Sequence, residues 1–268
     1  MVQLDFIGQL PKEEIEQEQF MLWDKDFEPT IIALKPKSRK SKTPIDYRHV
    51  DELFNSFNQE ELEVYKDYWQ GVAPKNDTEV FQRWLFAFMS VHTTWERNVI
   101  GYEAIKDWTR WFNNDEKLKE IIVESRVGLH NNRVRYISEF ARKFWSDPQN
   151  ASGTFNSMEF FNKYGGGDWQ TFRDNLVKDI LGLGIAKVSF ALEMIYPNET
   201  KVTCMDTHLF QAFGLDQSKD STRYKEIENY WLDMCSMWQV PSYIARCILW
   251  DRKQGHTDSR YWSYVLED

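Results

Sequence analysis

The run "LGLGIAKVSFALEMIYPNETKVTCMDTHLFQAFG", Leu181 to Gly214, holds the residues whose types and spacing bear most directly on chemistry. Gly182 and Gly184 stand one residue apart between two helix-like runs, and a lone acid, Asp206, opens a further apolar helix. A helix that ends at a Gly-x-Gly turn and restarts at once leaves backbone N–H groups free at the new N-terminus. Such an end binds a phosphate without help from Lys or Arg. The same turn also suits an ordinary αα-hairpin, in which glycine only supplies positive φ. A dinucleotide fingerprint fits less well, because no strand precedes the glycines and no third glycine follows at the required spacing. Asp206 likewise has two readings that are compatible. It is an N-cap for "THLFQAF", its carboxylate bonding exposed amides, or a catalytic carboxylate delivered to a bound substrate.

The elements that must position these residues read as helices. Leu183 would plug the two helices of the hairpin together, and Val188, Ala191, Leu192 and Ile195 continue an apolar stripe. Upstream, "EVFQRWLFAFMSVHTTWERNVIGYEAIKDWTRWF" reads as long helical sequence with Phe81, Leu85, Phe88 and Met89 on one buried face. "NDEKLKEIIVES" and "NNRVRYISEFARKFWSD" follow as two helices, separated by the breaker "RVGLHNN". "YGGGDWQ" breaks the chain again before a helix through "DWQTFRDNLVKDIL", with Asp168 as its N-cap. "STRYKEIENYWLDMCSMWQ" and "PSYIARCILWDRKQG" complete the set, Pro241 suiting a first helical turn. Alternating β patterns are scarce. The predicted fold is all-α, two helical subdomains flanking a cleft that carries the hairpin. Residues 1–75 are expected to form an N-terminal extension packed on a 76–214 core, with 215–268 completing the second subdomain.

Bulk composition narrows the function classes. With 42% hydrophobic and 16% aromatic residues, the chain is a folded, aromatic-rich protein able to bury a large core. No apolar run reaches the roughly 18 residues of a membrane span, and "MVQLDFIGQLPKEEIEQEQF" lacks the basic start and apolar block of a secretory signal. The three cysteines, Cys204, Cys235 and Cys247, are widely spaced and suit reduced thiols in a cytoplasm, with no zinc or iron–sulfur spacing. A net charge of −9 argues against a general polyanion binder. Basic residues do cluster in "KPKSRKSK" (Lys35, Lys37, Arg39, Lys40, Lys42), which reads as a solvated loop or as a phosphate-tracking arm.

"ILGLGIAKVSFAL…VTCMDTHLFQAFG" resembles the helix–hairpin–helix DNA glycosylase superfamily, in which a hairpin of type L-P-G-V-G-x-K-x-A precedes a V-D-T-H segment. "FMSVHTTWERNV" is similar to the family's L-S-x-Q-x-T segment, and "VGLHNNRVRYI" to its G-L-Y-N-x-K-A-x-x-I segment, in the expected order. The resemblance covers Phe81 to Gly214. It implies that double-stranded DNA is the partner of a monomeric protein; the cluster-binding C-terminal cysteines of some relatives are missing, and Cys235 and Cys247 cannot form that site alone, so no iron–sulfur cluster is expected. It implies that Leu181, Gly182, Leu183, Gly184, Ile185 and Lys187 grip a DNA phosphate, with a monovalent sodium or potassium ion as a candidate at the hairpin carbonyls. Asp206 corresponds to the acid that stabilises the positive sugar as the N-glycosidic bond of an extruded nucleotide breaks. His92 falls where relatives carry a Gln that fills the gap left by the flipped base; it is equally readable as a satisfied histidine on a mostly buried helix. Leu129 and Asn131 fall in the loop pushed against the opposite strand. Arg133 matches a basic position there that contacts phosphate, or is an exposed helix-start arginine.

Departures from the pattern sharpen the reaction. The family's Schiff-base lysine belongs two residues after the second hairpin glycine, and Ala186 stands there. Lys187 comes one residue later, a helical rotation of about 100° that is expected to aim the amine at a different face, unless an alignment shifted by one residue lets Lys187 take the place of the missing lysine. The proline of the hairpin is also missing. These departures predict base excision by water, without lyase chemistry. Two alternatives stand beside it. A viral branch of the superfamily, acting in a host cytoplasm, is linked to transfer of an amino acid or polyamine onto an activated 5-hydroxymethyl pyrimidine. The acidic pI and the tail "ILWDRKQGHTDSRYWSYVLED" suit that branch, with His256, Asp258, Arg260 and Trp262 as pocket or packing residues. The other is a non-catalytic DNA-binding module in which Asp206 only caps a helix.

Overall fold

The computed structural model describes residues 43–146, 161–162 and 165–255. The chain divides into two compact units, Met1–Arg39 and Lys40–Asp268, and every described residue belongs to the second. The basic run Lys35–Lys42 and the tail residues His256, Asp258, Arg260 and Trp262 lie outside the described residues.

The fold is all-α, with no strand among the described residues. Its helices are α1 (Arg48–Asn55), α2 (Gln59–Gly71), α3 (Asp77–Met89), α4 (Trp95–Ile105), α5 (Asp115–Glu124), α6 (His130–Ser146), α7 (Trp169–Asp179), α8 (Ile185–Ile195), α9 (Thr207–Ala212), α10 (Gln217–Asp220), α11 (Tyr224–Trp238) and α12 (Ser242–Gln254). Side-chain caps explain many of the starts. Asn58, Asn76, Asn114 and Asp168 each accept the backbone N–H three residues on. The "RVGLHNN" breaker works through positive φ at Arg126, Gly128 and Leu129, and "YGGGDWQ" through Gly166 and Gly167.

Helix α3 is more deeply embedded than its pattern predicts. Beyond Phe81, Leu85, Phe88 and Met89, it also buries Trp84, Phe86 and Ala87, because α4, α6 and α8 pack around it. The long run that continues it does not stay helical. It ends at Ser90, passes through a left-handed His92 at φ 50°, and restarts under a Thr94 cap as α4. Two groups of helices result. Helices α3 to α8 form one, rich in ring contacts such as Phe81 with Phe140, Phe144 and Trp111. Helices α1, α2, α11 and α12 form the other, with Phe54 against Trp231 and Trp69 against Tyr243. Helix α8 packs on both α3 and α12, so its exposed face looks into the seam between the groups.

Two long-range bonds fasten α2 to α12. Tyr65 donates to Asp251 at 2.6 Å in the interior, and Arg252 pairs with Glu61 at 2.5 Å.

Candidate active site

Helix α7 ends at Asp179, and the chain turns through Ile180 to Leu183 before α8 begins. Gly182 has φ +88°, and a Cβ there would sit 2.2 Å from the Tyr136 ring of α6, so both backbone angle and neighbour demand glycine. Leu183 is buried beneath the turn, as a plug between the helices requires, while Leu181 is exposed. Gly184 is the N-cap of α8 and offers no side chain to its first-turn amides. A Cβ on Gly184 would meet nothing within 4 Å, so the space beside this N-cap is open.

The segment from Thr203 to Asp206 is pinned by buried polar groups. Glu228 accepts the Thr203 N–H at 2.9 Å and pairs with Arg173 of α7 at 2.5 Å, both side chains fully buried. The Tyr224 hydroxyl donates to the Thr203 carbonyl at 2.6 Å and accepts the Met205 N–H at 3.2 Å. Asp206 then caps α9: its Oδ1 accepts the His208 and Leu209 N–H groups at 2.9 and 3.0 Å. Its Oδ2 is left 3.6 Å from the Arg246 guanidinium.

Asp206 lines a cavity of about 210 Å³ in the seam. Trp95 of α4, Phe190 of α8 and Trp250 of α12 supply aromatic wall, with His208 edge-on to Trp250 at 4.4 Å. Arg246 lies against the rings of Phe190 and Tyr243 and pairs with the buried Glu193 at 3.0 Å. Burial opposes the charge of Arg246, but Glu193, Cys204, Cys247 and Asp206 together outweigh it and the guanidinium is held firmly ionised. Burial also pushes the Glu193 carboxyl up to about 7, against the pull of Arg246. The thiol of Cys204 in the same wall is raised by burial to about 12 and is no nucleophile at neutral pH.

Lys187 lines this cavity too. Its amine takes part in no hydrogen bond or ion pair among the described residues, and stands 5.8 Å from the centre of the Phe190 ring. Burial lowers its pKa; Cys204 and Asp206 resist that shift and Arg246 adds to it. The site therefore joins a carboxylate, a desolvated amine and flat apolar walls, a combination suited to a planar ring attached to a sugar that becomes cationic.

The same architecture occurs in an 8-oxoguanine glycosylase/lyase of Methanocaldococcus jannaschii, solved in complex with a 15mer DNA containing 8-oxoguanine. The two share 20% identity and a TM-score of 0.59 over 78% of this chain and 97% of the other. This chain has a DNA glycosylase fold. A further structure, the 8-oxoguanine DNA glycosylase of the same organism, aligns at 20% identity and a TM-score of 0.55, covering 77% of this chain and 89% of the other. No protein-family model and no curated protein matches the sequence.

On this glycosylase fold the expectation for Lys187 is corrected. Its amine faces the Asp206 cavity rather than another face, because α8 starts at Ile185 and residues 187 and 190 share a side three positions apart. Arg133 is corrected as well. It is buried, neither an exposed helix-start arginine nor free to reach outward to a phosphate. Its guanidinium donates to the carbonyls of Val127 (2.5 Å), Gly128 (2.7 Å), Val91 (2.8 Å) and Met89 (3.3 Å). It thereby clasps the turn carrying His92 to the turn carrying Leu129. His92 is exposed in its turn, not a satisfied histidine on a buried helix, and Leu129 is exposed at φ 49°. Asn131, on α6, is exposed and lines a separate depression with Asp115 and Arg142.

Sequence reasoning missed Arg246, Glu193, Trp95 and Trp250. A usable signal existed for the first two: each is a single charge inside an apolar helical run, "FALEMI" and "YIARCIL", which a protein interior tolerates only as a pair.

Proposed function

We propose that this protein is a DNA glycosylase that draws one nucleotide out of a duplex and cleaves its N-glycosidic bond, with Lys187 as the attacking group. The observation that carries this reading is the shared cavity of Asp206 and Lys187 at the foot of the hairpin helix. The open N-terminus of α8 would hold a phosphate of double-stranded DNA, and the exposed His92 and Leu129 turns would face the space left in the stack. The hairpin carbonyls belong to the same proposal as the place of a monovalent cation, and the protein would act as a monomer.

As the glycosidic bond lengthens, positive charge grows on the sugar, and the fixed Asp206 carboxylate stabilises it. The Lys187 lone pair forms a bond to C1′ while the bonding pair to the base leaves with the base. The resulting ammonium gives up a proton and the departing base anion takes one. Ring opening then yields an imine, from which strand cleavage by elimination follows. A lysine whose charged form burial disfavours suits this attack better than a solvated one. In the water-dependent version, the same carboxylate orients a water and Lys187 only balances charge.

The test incubates the protein with duplexes carrying 8-oxoguanine, uracil or hypoxanthine, with and without borohydride, and weighs bases, nucleosides and protein. Released base plus a borohydride-trapped protein–DNA adduct is the expected result, with both lost in Asp206→Asn and the adduct lost in Lys187→Met. Base release that survives Lys187→Met undiminished assigns the attack to water. A mass gain on an intact nucleoside that depends on an added amine would replace excision by group transfer. Full activity in Asp206→Asn would refute the role of the acid.

A further inference from the structure

The cavity contains polar atoms that the chemistry above leaves unused. Asn98, on the inner side of α4, lines it and is only 2% exposed, yet its Oδ1 has no hydrogen-bond partner. Thr93, in the turn before α4, lines the same wall, and its buried Oγ1 is also unpartnered. Native interiors satisfy almost all such atoms, so two in one wall of one cavity call for a group that supplies what the protein does not. A primary carboxamide offers one acceptor and two donors, and its acceptor and donor sides lie next to each other. It pairs in two-point fashion with any planar edge that places a donor beside an acceptor.

We infer that Asn98 reads the edge of the extruded base and selects lactam bases, those with a ring N–H beside a carbonyl. The inference rests on the cavity being a base pocket, as proposed above. Oδ1 would accept from the ring N–H and Nδ2 would donate to the carbonyl, with Thr93 beside them. Amidine edges, a bare ring nitrogen beside an amino group, match a carboxamide equally well in geometry. They are disfavoured here by charge: the exocyclic amino group of an amidine edge carries partial positive charge where a lactam edge carries the partial negative charge of a carbonyl, and the Arg246 guanidinium stands in the same cavity.

Deoxyinosine against deoxyadenosine, and deoxyuridine against deoxycytidine, each differ at the edge in question. Equilibrium dialysis of these four nucleosides against the full chain gives the test without relying on turnover. The two lactam nucleosides are expected to bind at least tenfold more tightly than their amino counterparts. Asn98→Leu, similar in size and unable to hydrogen-bond, is expected to erase that preference while leaving the melting temperature unchanged or raised. A merely structural Asn98 would instead lower it. Equal binding within each pair, a preference for the amino members, a preference that persists in Asn98→Leu, or no binding by the wild type would each overturn the inference. Base release from duplexes is measured on the same preparations: its absence alongside an Asn98-dependent preference sinks the glycosylase reading alone.

Discussion

Arg133→Met removes the guanidinium that joins the His92 and Leu129 turns while keeping the length of the side chain. Two of its four acceptors, the carbonyls of Val127 and Met89, are bonded in the interior. Leaving a buried acceptor without a donor costs about 1–3 kcal/mol each, so the direct loss is about 2–6 kcal/mol. Part of it is offset, because the folded protein no longer desolvates a cation whose pKa burial already lowers. A net destabilisation of about 2–4 kcal/mol follows, or a fall in Tm of about 4–16 °C for a unit of this size. Urea and thermal unfolding read the stability, and hydrogen exchange across 90–93 and 126–131 reads the turns. Arg133→Lys should not rescue, since one ammonium cannot span four carbonyls as the fork does. Salt dependence separates this role from a phosphate contact. A lost phosphate contact lowers the log–log slope of duplex binding by about 0.9, whereas a clasp leaves it unchanged. Unaltered stability together with a reduced slope would refute the reasoning.

Gly182→Ala should cost about 1–2 kcal/mol for its φ of +88° and about 1–3 kcal/mol for overlap with the Tyr136 ring; adding Tyr136→Ala should recover only the second part in urea titrations. Gly184→Val should cost no more than about 1 kcal/mol of stability, from a poorer N-cap, since φ is −84° and the space is empty, yet weaken duplex binding about tenfold, or about 1.4 kcal/mol, whatever the sequence. Glu193 titrates near 7 when folded against 4.5 when unfolded, so the folded state binds the extra proton between these values. Stability from this group is present at low pH and is lost as pH rises through about 7, a difference of about 3 kcal/mol. Subtracting the pH–stability curve of Glu193→Gln should isolate that fall, and parallel curves would contradict it.

What the sequence disclosed was local. Gly-x-Gly, the Asp206 cap and the breaker at Gly128 each depend on a few adjacent residues, and the structure forms them where the pattern puts them. The direction of Lys187 was legible only in part. Counting from the hairpin glycine put it one residue out of register, whereas its spacing of three from Phe190 matches the face that lines the cavity. The fate of Arg133 was not legible, because its acceptors come from turns more than forty residues apart as well as from its own. A basic residue near a helix start looks the same in sequence whether it reaches outward or folds back. The wall built by Asn98, Trp95, Arg246 and Trp250 was hidden for a similar reason: α4 and α12, which supply it, are separated by more than 130 residues of chain.

The bonds between α2 and α12 bear on how the chain is made. Tyr65 and Asp251 are 186 positions apart, so the partner that satisfies Asp251 leaves the ribosome long before it. At about 5–20 residues per second, Phe54, Tyr65 and Trp69 wait roughly 10–40 s for the helices that cover them. During that interval an apolar surface is exposed on a nascent chain whose closing contacts are among the most distant in its sequence, and such topologies fold slowly. The cavity is completed by Arg246 and Trp250 of that same helix, the last among the described residues. A ribosome stalled before α12 would therefore hold a hairpin and an Asp206 without a pocket, exposed to chaperones and proteases.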